Sequence, residues 1–297
     1  MGYRLIRHIG GKGSGHFSES LNGITVGRDG LIYAVGDREV KVFRAEGELE
    51  REFPTEQPGY CVALDAEGMI FVGEAGLVEL FNRSGSRQAT WRDAPRLGSV
   101  TSIGFFQESV LLADATNRCI RRYDRAGKWL SDIGKNNNTK GFLIPNGYLD
   151  FAVDAAGTIH AANPGKFRVE RYSLSGELLG HFGRYGTRLP EEFPPCCNPT
   201  NLTLTENGRT IVTEKAGPRV KVFDATGTMV ALISGEPFDA NCKNMDVATD
   251  AAGRIYVADT VRLSILVFAP AEDESQQLTP PRAPDARPGE DGGGNKR

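Results

Sequence analysis

Cysteine is scarce in this chain. Five cysteines in 297 residues is a low and odd count, and it does not suggest a disulfide framework. An excess of charge of one sign is also missing. The formal net charge is −3, and the acid-rich C-terminal end carries much of it. A nearly neutral body argues against broad electrostatic binding of nucleic acid and leaves room only for a local basic patch. No apolar run approaches the ~20 residues that span a bilayer, so no membrane partner is expected. The opening MGYRLIRHIGG lacks the apolar core of a secretory signal. The chain as given reads as cytoplasmic. Met1 lies almost directly on the first strand pattern, so an exported form with a removed leader also fits.

Glycine is plentiful at 36 residues, and hydrophobic residues make up 39%. A turn-rich β protein with a substantial core accounts for both. Self-similarity shows how the core is organised. Copies of one pattern begin at Gly23, Cys61, Thr101, Asp150, Asn201 and Asp246. In each, a short apolar strand ends in Asp-x-x-Gly or a variant, which is a tight turn. A second strand follows, as in IYVAD, and then an alternating third such as RVKVF. A further turn, as in DATG or LSGE, leads into a more polar fourth strand. That is a four-stranded antiparallel meander of roughly 40–50 residues, the size of one propeller blade.

The sixth copy stops after its third strand, at SILVFAP. The segment YRLIRHIG, residues 3–10, matches GELLGHFG, residues 176–183, in kind and in its closing glycine. The N-terminus is therefore expected to complete the last blade and close the ring, which removes two open sheet edges. The fold expected is all-β: a six-bladed β-propeller over residues 1–270. The C-terminal segment 271–297 cannot bury a core and is expected to be disordered.

DFAVDAAGTIH and DVATDAAGRIYVADT resemble NHL repeats, and residues 3–270 as a whole resemble a six-bladed NHL-type β-propeller. The second and third copies depart from the pattern, and FFQESVLLADA has lost the turn glycine. The segment PCCNP is similar to one found in some bacterial NHL-repeat proteins of unassigned function. The resemblance implies a ligand or partner bound at one mouth of the central channel and a protein that works as a monomer.

The first strand of each blade lines the channel, and the loops leading into these strands converge at one mouth, which suits a ligand. Aligning the repeats places Gly23, Cys61, Thr101 or Ser102, Asp150, Asn201 and Asp246 at equivalent positions around it. Asn22, Asn146, Asn198, Asn201, Asn241 and Asn244 crowd the loops. Asparagine suits turns. It also supplies oxygen of the kind that hard cations such as Ca²⁺ take. The candidate ligand-binding set is Asn146, Asp150, Asn198, Asn201, Asn244, Asp246 and Cys61. His16, in the first loop, is the histidine placed to reach the mouth.

Cys196 and Cys197, in FPPCCNPTN, allow three readings. One thiol can pack under the loop as a small apolar group. The pair can take a soft metal such as zinc or copper with Cys242 as a third ligand. The pair can also act as a redox couple, although adjacent Cα atoms stand ~3.8 Å apart, below the usual disulfide window. Glu74, Asp114, Glu214 and Asp259 recur at the ends of second strands, where capping of a turn is the simplest role. Arg118, Arg121, Arg122, Arg125 and Lys128 form a basic run that reads as a solvated edge, since alternation splits it between two faces.

Three functions follow. The leading one is a non-catalytic binding propeller with a protein or small-molecule ligand at the channel mouth. The second is a Ca²⁺-dependent hydrolase or lactonase, which the resemblance in architecture implies, using Asn146, Asp150, Asn201, Asn244 and Asp246, with Glu19 as the one acid near blade one. The third is a soft-metal or redox site at Cys196 and Cys197. Convergent histidines and an activated nucleophile are not found in the sequence.

Overall fold

The computed structural model describes residues 2–13 and 16–271. The expectation for the C-terminal segment falls outside this range except at Ala271.

The N-terminal strand is β1 (Tyr3–Gly10). Blade one is β2 (Gly23–Val26), β3 (Ile32–Gly36), β4 (Glu39–Phe43) and β5 (Leu49–Pro54). Blade two is β6 (Cys61–Leu64), β7 (Ile70–Gly73), β8 (Leu77–Phe81) and β9 (Arg87–Arg92). Blade three is β10 (Val100–Phe106), β11 (Ser109–Asp114), β12 (Cys119–Asp124) and β13 (Trp129–Ile133). Blade four is β14 (Phe151–Val153), β15 (Ile159–Asn163), β16 (Arg168–Tyr172) and β17 (Leu178–Phe182). Blade five is β18 (Leu202–Leu204), β19 (Thr210–Glu214), β20 (Arg219–Phe223) and β21 (Met229–Ser234). Blade six holds β22 (Val247–Thr249), β23 (Ile255–Asp259) and β24 (Ser264–Pro270). Each blade is one four-stranded antiparallel sheet, and the sixth takes β1 as its outer strand. The inner strands β2, β6, β10, β14, β18 and β22 contact one another in ring order, and β22 meets β2. This is the six-bladed ring closed by its N-terminus.

The outer strand pairs repeat one irregularity. A bulge separates Val42 from Phe43, Leu80 from Phe81, Arg122 from Tyr123, Arg171 from Tyr172 and Val222 from Phe223. In blade six the shift falls within β1, between Leu5 and Arg7. A bulge bends and twists the strand that carries it. The N-terminal strand thus reproduces the outer-strand pairing of the other blades.

The turns show why the sequence closes so tightly. The Asp154 carboxylate accepts from the backbone N–H of Ala156 and Thr158. Gly157 stands at φ 86° against the Phe106 ring, where a β-carbon would come within 2.8 Å. Blade three lacks this glycine. Phe106 pairs with Ser109 instead, and Gln107 takes a φ of 50° to turn the chain in two residues.

The apolar core is divided into six clusters, each lying between neighbouring blades. A charged residue nonetheless stands in the middle of five third strands: Lys41, Glu79, Arg121, Glu170 and Lys221, all buried. They occupy equivalent register positions, opposite Ala34, Val72, Leu112, Ala161 and Val212. Leu266 holds this position in blade six, opposite Val257. The charges are partnered, as burial requires. Arg121 bonds Asp114 at 2.8 Å and Asp132 at 2.9 Å. Glu170 accepts from Tyr172 Oη, Asn163 Nδ2 and Arg168 Nε.

Candidate functional site

At the channel the acids are held by neighbouring blades. Asp150 Oδ1 accepts from Phe151 N at 2.9 Å, and Oδ2 accepts from Leu202 N of blade five at 2.7 Å. Asp246 Oδ1 accepts from Val247 N at 2.9 Å, and Oδ2 accepts from Ile24 N of blade one at 2.7 Å. Each carboxylate oxygen therefore keeps a lone pair for something else. Burial raises the Asp150 carboxyl to about 6. Burial and then the Asp150 charge raise Asp246 to about 8. Asn201 stands beside both and lowers both. It is buried, and neither atom of its amide makes a well-formed hydrogen bond. The channel cavity that Asp150 and Asp246 line is about 200 Å³.

Above this level the loop Ile144–Asp150 crosses the mouth. Tyr148 Oη reaches past blade three to donate to Tyr60 O at 2.8 Å. Asn146 Nδ2 reaches past blade five to donate to Asn244 Oδ1 at 3.0 Å. Asn22 Nδ2 donates to Gly59 O at 2.8 Å. The loops of blades one, two, four and six are thus tied together over the channel.

Of the other expected residues, Cys61, Thr101 and Ser102 line the same cavity. Asn198 is a fastening for its own loop. Its Nδ2 donates to Pro194 O, Pro195 O and Lys215 O, and its Oδ1 accepts from Lys215 N. Cys61 is wedged between blades two and three. Its Sγ contacts Val100 O at 3.5 Å, and a β-carbon on Gly73 would come within 2.6 Å of it. Burial pushes this thiol far above its usual range. In blade three a bulge between Val100 and Ser102 sets Ser102 opposite Ala113. Thr101 and Ser102 both donate to blade four, at Leu149 O and Phe151 O. His16 is not at the mouth: its ring meets Phe43 edge-on at 5.0 Å. Glu19 is exposed on a loop whose backbone wraps Asp37.

The proposed three-cysteine metal set is not assembled. Cys242 is buried, with its Sγ 3.0 Å from Asp259 Oδ1, and burial raises its thiol to about 11. A protonated thiol is a poor ligand. Among the described residues no group of three or more His, Cys, Asp or Glu is placed to hold a metal. Cys196 is exposed and Cys197 half-buried, at φ 79° and 69°. Two successive non-glycine residues in this region carry strain that the surroundings must hold in place. Phe193 is fully buried and Lys221 Nζ donates to Glu192 O on one side, while Asn198 grips Lys215 on the other. Two thiols of the five should therefore react promptly with iodoacetamide under native conditions. Cys61, Cys119 and Cys242 should react only on unfolding, as mapped by peptide mass spectrometry. Prompt labelling of Cys242 would contradict its placement.

The second-strand acids have the structural role expected of them. Asp259 accepts from Val261 N and Arg262 N, and Glu74 accepts from Gln57 N. The basic run is not a solvated edge. Arg121 is buried against two aspartates, Arg122 donates to Ser109 Oγ, and Arg125 bonds Asp65. Apart from Arg121, the buried charges of the third strands escape a reading of the sequence. The signal was a lone charge inside EVKVF, LVELF, RVERY and RVKVF.

No protein-family model matches the chain, and no curated protein matches it in sequence. Its fold is shared by solved structures. Virginiamycin B lyase from Staphylococcus aureus superposes with a TM-score of 0.63 at 11% identity, covering 91% of this chain and 100% of that one. A protein of unknown function from Bacteroides thetaiotaomicron gives 0.64 at 14% identity, covering 84% and 69%. The WD40 β-propeller domain of Doa1 gives 0.60 at 12% identity, covering 86% and 80%. At these identities the likeness is one of fold alone. Among the described residues no helix is long and apolar enough to cross a membrane.

Proposed function

We propose that the protein is a non-catalytic binding propeller of the NHL type. Its channel takes a small cation, a divalent ion such as Ca²⁺ or an ammonium group, between Asp150, Asn201 and Asp246. The observation that carries this reading is the Asn201 amide, buried beside two carboxylates with neither of its atoms in a well-formed hydrogen bond. Oxygen donors of this kind suit a hard cation. Asn146, Asn244 and Tyr148 would control access from above. The non-catalytic part rests on the histidines: His160 is paired with Asp154, His16 packs on Phe43, and His8 and His181 are exposed on outer strands.

The test is calorimetric titration of the metal-free chain with CaCl₂ and, separately, with methylammonium, joined to thermal unfolding across pH. The two acids are raised in the folded state, so their contribution is complete below pH 3.8 and is lost as pH rises through about 8. Without a cation, stability should fall by about 2 kcal/mol between pH 6 and 8. Saturating cation should remove that loss, and Asp246→Asn should abolish the cation's effect. Stability indifferent to both cations at pH 8 would refute the reading.

A further inference from the structure

The groove between blades four and five breaks the rule that the other blades keep. At one layer of each interface the second strand presents an apolar or aromatic side chain to the next blade. These are Tyr33, Phe71, Leu111, Ile211 and Tyr256, all buried. Opposite them on the third strands stand Val42, Leu80, Arg122, Val222 and Val267. In blade four the same register holds His160 opposite Arg171, and Gly180 beyond it. Neither His160 nor Arg171 belongs to the apolar cluster at this interface. They line a groove of about 890 Å³ whose apolar walls include Val153, Leu179, Phe182 and Leu204.

A structural role explains only half of His160. Tyr33 Oη donates to Asp29 at 3.0 Å, and Tyr256 Oη donates to Asp250 at 3.0 Å. His160 Nε2 stands 3.2 Å from Asp154 Oδ2 and does the same work. The imidazole adds what tyrosine lacks, a second nitrogen. That Nδ1 is buried without a partner, and so is Arg171 Nε. The corresponding Arg122 gives its Nε to Ser109 Oγ. The other charges facing the groove are Arg28 and Glu206, both exposed, and Asp154 and Asp224. Both aspartates are engaged by their own turns, Asp154 through Ala156 N and Thr158 N and Asp224 through Thr226 N and Thr228 N. A guanidinium and an imidazole thus line an apolar-walled groove, and each keeps one buried nitrogen without a partner. Buried polar groups of this kind call for an acceptor.

We propose that this groove binds an organic carboxylate with an aliphatic tail. Arg171 and His160 Nδ1–H hold the carboxylate, and the tail lies along Val153, Leu179, Phe182 and Leu204. His160 keeps its Nε2–H on Asp154, so it must be the imidazolium when the ligand is bound. Burial, and to a lesser degree Arg171, disfavour that charge in the free protein, while Asp154 favours it. The bound carboxylate favours it further, so binding takes up a proton and weakens as pH rises.

The test is isothermal titration of the full chain with sodium octanoate at pH 6 and pH 8, with acetate and inorganic phosphate as comparison probes. The expected result is one site, with octanoate bound at least about tenfold more tightly than acetate because its tail is buried. Affinity should be several-fold higher at pH 6, and the His160 ring resonances should titrate at higher pH in the presence of octanoate. His160→Tyr and Arg171→Val install residues that other blades carry, so both should fold, as judged by thermal unfolding. Each should lower affinity at least about tenfold, and His160→Tyr should also remove the pH dependence. Acetate binding as tightly as octanoate, or phosphate binding more tightly, would overturn the assignment. So would octanoate binding that survives both substitutions, or no saturable binding at all.

Discussion

A chain lacking residues 1–10 should fail to fold cooperatively and should precipitate or form soluble aggregates. Circular dichroism should show no sharp thermal transition where the full chain has one. The reason is the position of β1. It pairs with β24 along Tyr3–Gly10, and Ile9 is buried in the cluster between blades six and one. Without it β24, buried from Ser264 to Phe268, becomes an open apolar edge. Such an edge pairs with other chains. A synthetic peptide of residues 2–10 added during refolding should restore a monomer with a sharp transition. A truncated chain that melts like the full one would mean that closure contributes nothing to stability.

Glu214→Ala should cost about 3–5 kcal/mol, because it leaves a buried lysine without its partner. Lys221 Nζ lies 2.7 Å from Glu214 Oε1, with both side chains fully buried, and 4.7 Å from the Phe193 ring centre. On a chain of this size the loss is a fall in Tm of roughly 10 °C. Burial already lowers the Lys221 ammonium below its usual range, and Glu214 opposes that. With the acid gone the lysine binds its proton more weakly in the folded state than in the unfolded state, so stability should rise with pH and the deficit should narrow in alkali. Adding Lys221→Met should recover part of the loss, since no charge is then stranded, while the cavity left by the smaller alanine remains. A single variant as stable as the parent would show that the pair is not buried as described.

The fold was legible in the sequence because each blade repeats the same local instructions. Apolar alternation recurs in all six copies and the turn glycine in five of them, and YRLIRHIG reads as a displaced outer strand. The channel ring followed from alignment alone, and Asp150, Asn201 and Asp246 are brought together there. What could not be read was direction at tightly packed points. Cys61 lines the channel yet sets its sulfur against blade three, in the room that Gly73 leaves, and Asn198 turns back on its own loop because Lys215 offers a donor and an acceptor. In the sequence His160 is a second-strand residue that could face between blades. Its meaning depends on which residue faces it on the next strand and on how the other five blades fill that layer. The link from Tyr148 to Tyr60 joins residues far apart in the chain, with no local pattern to mark it.

The row of buried charges in the third strands has a bearing on how six similar blades find their places. Read around the ring, Lys41, Glu79, Arg121, Glu170 and Lys221 alternate in sign, and Leu266 ends the series. In blades two and five a partner comes from the preceding loop, where Glu56 N donates to Glu79 and Lys221 donates to Glu192 O, while Lys41, Arg121 and Glu170 are met by residues of their own blades. A cation in place of Glu79 would face the Glu56 N–H, and an anion in place of Lys221 would face the Glu192 carbonyl, each an error costing several kcal/mol. Repeat proteins are prone to misassembly between like modules. Blades two and five are in this way matched to the loops that lead into them.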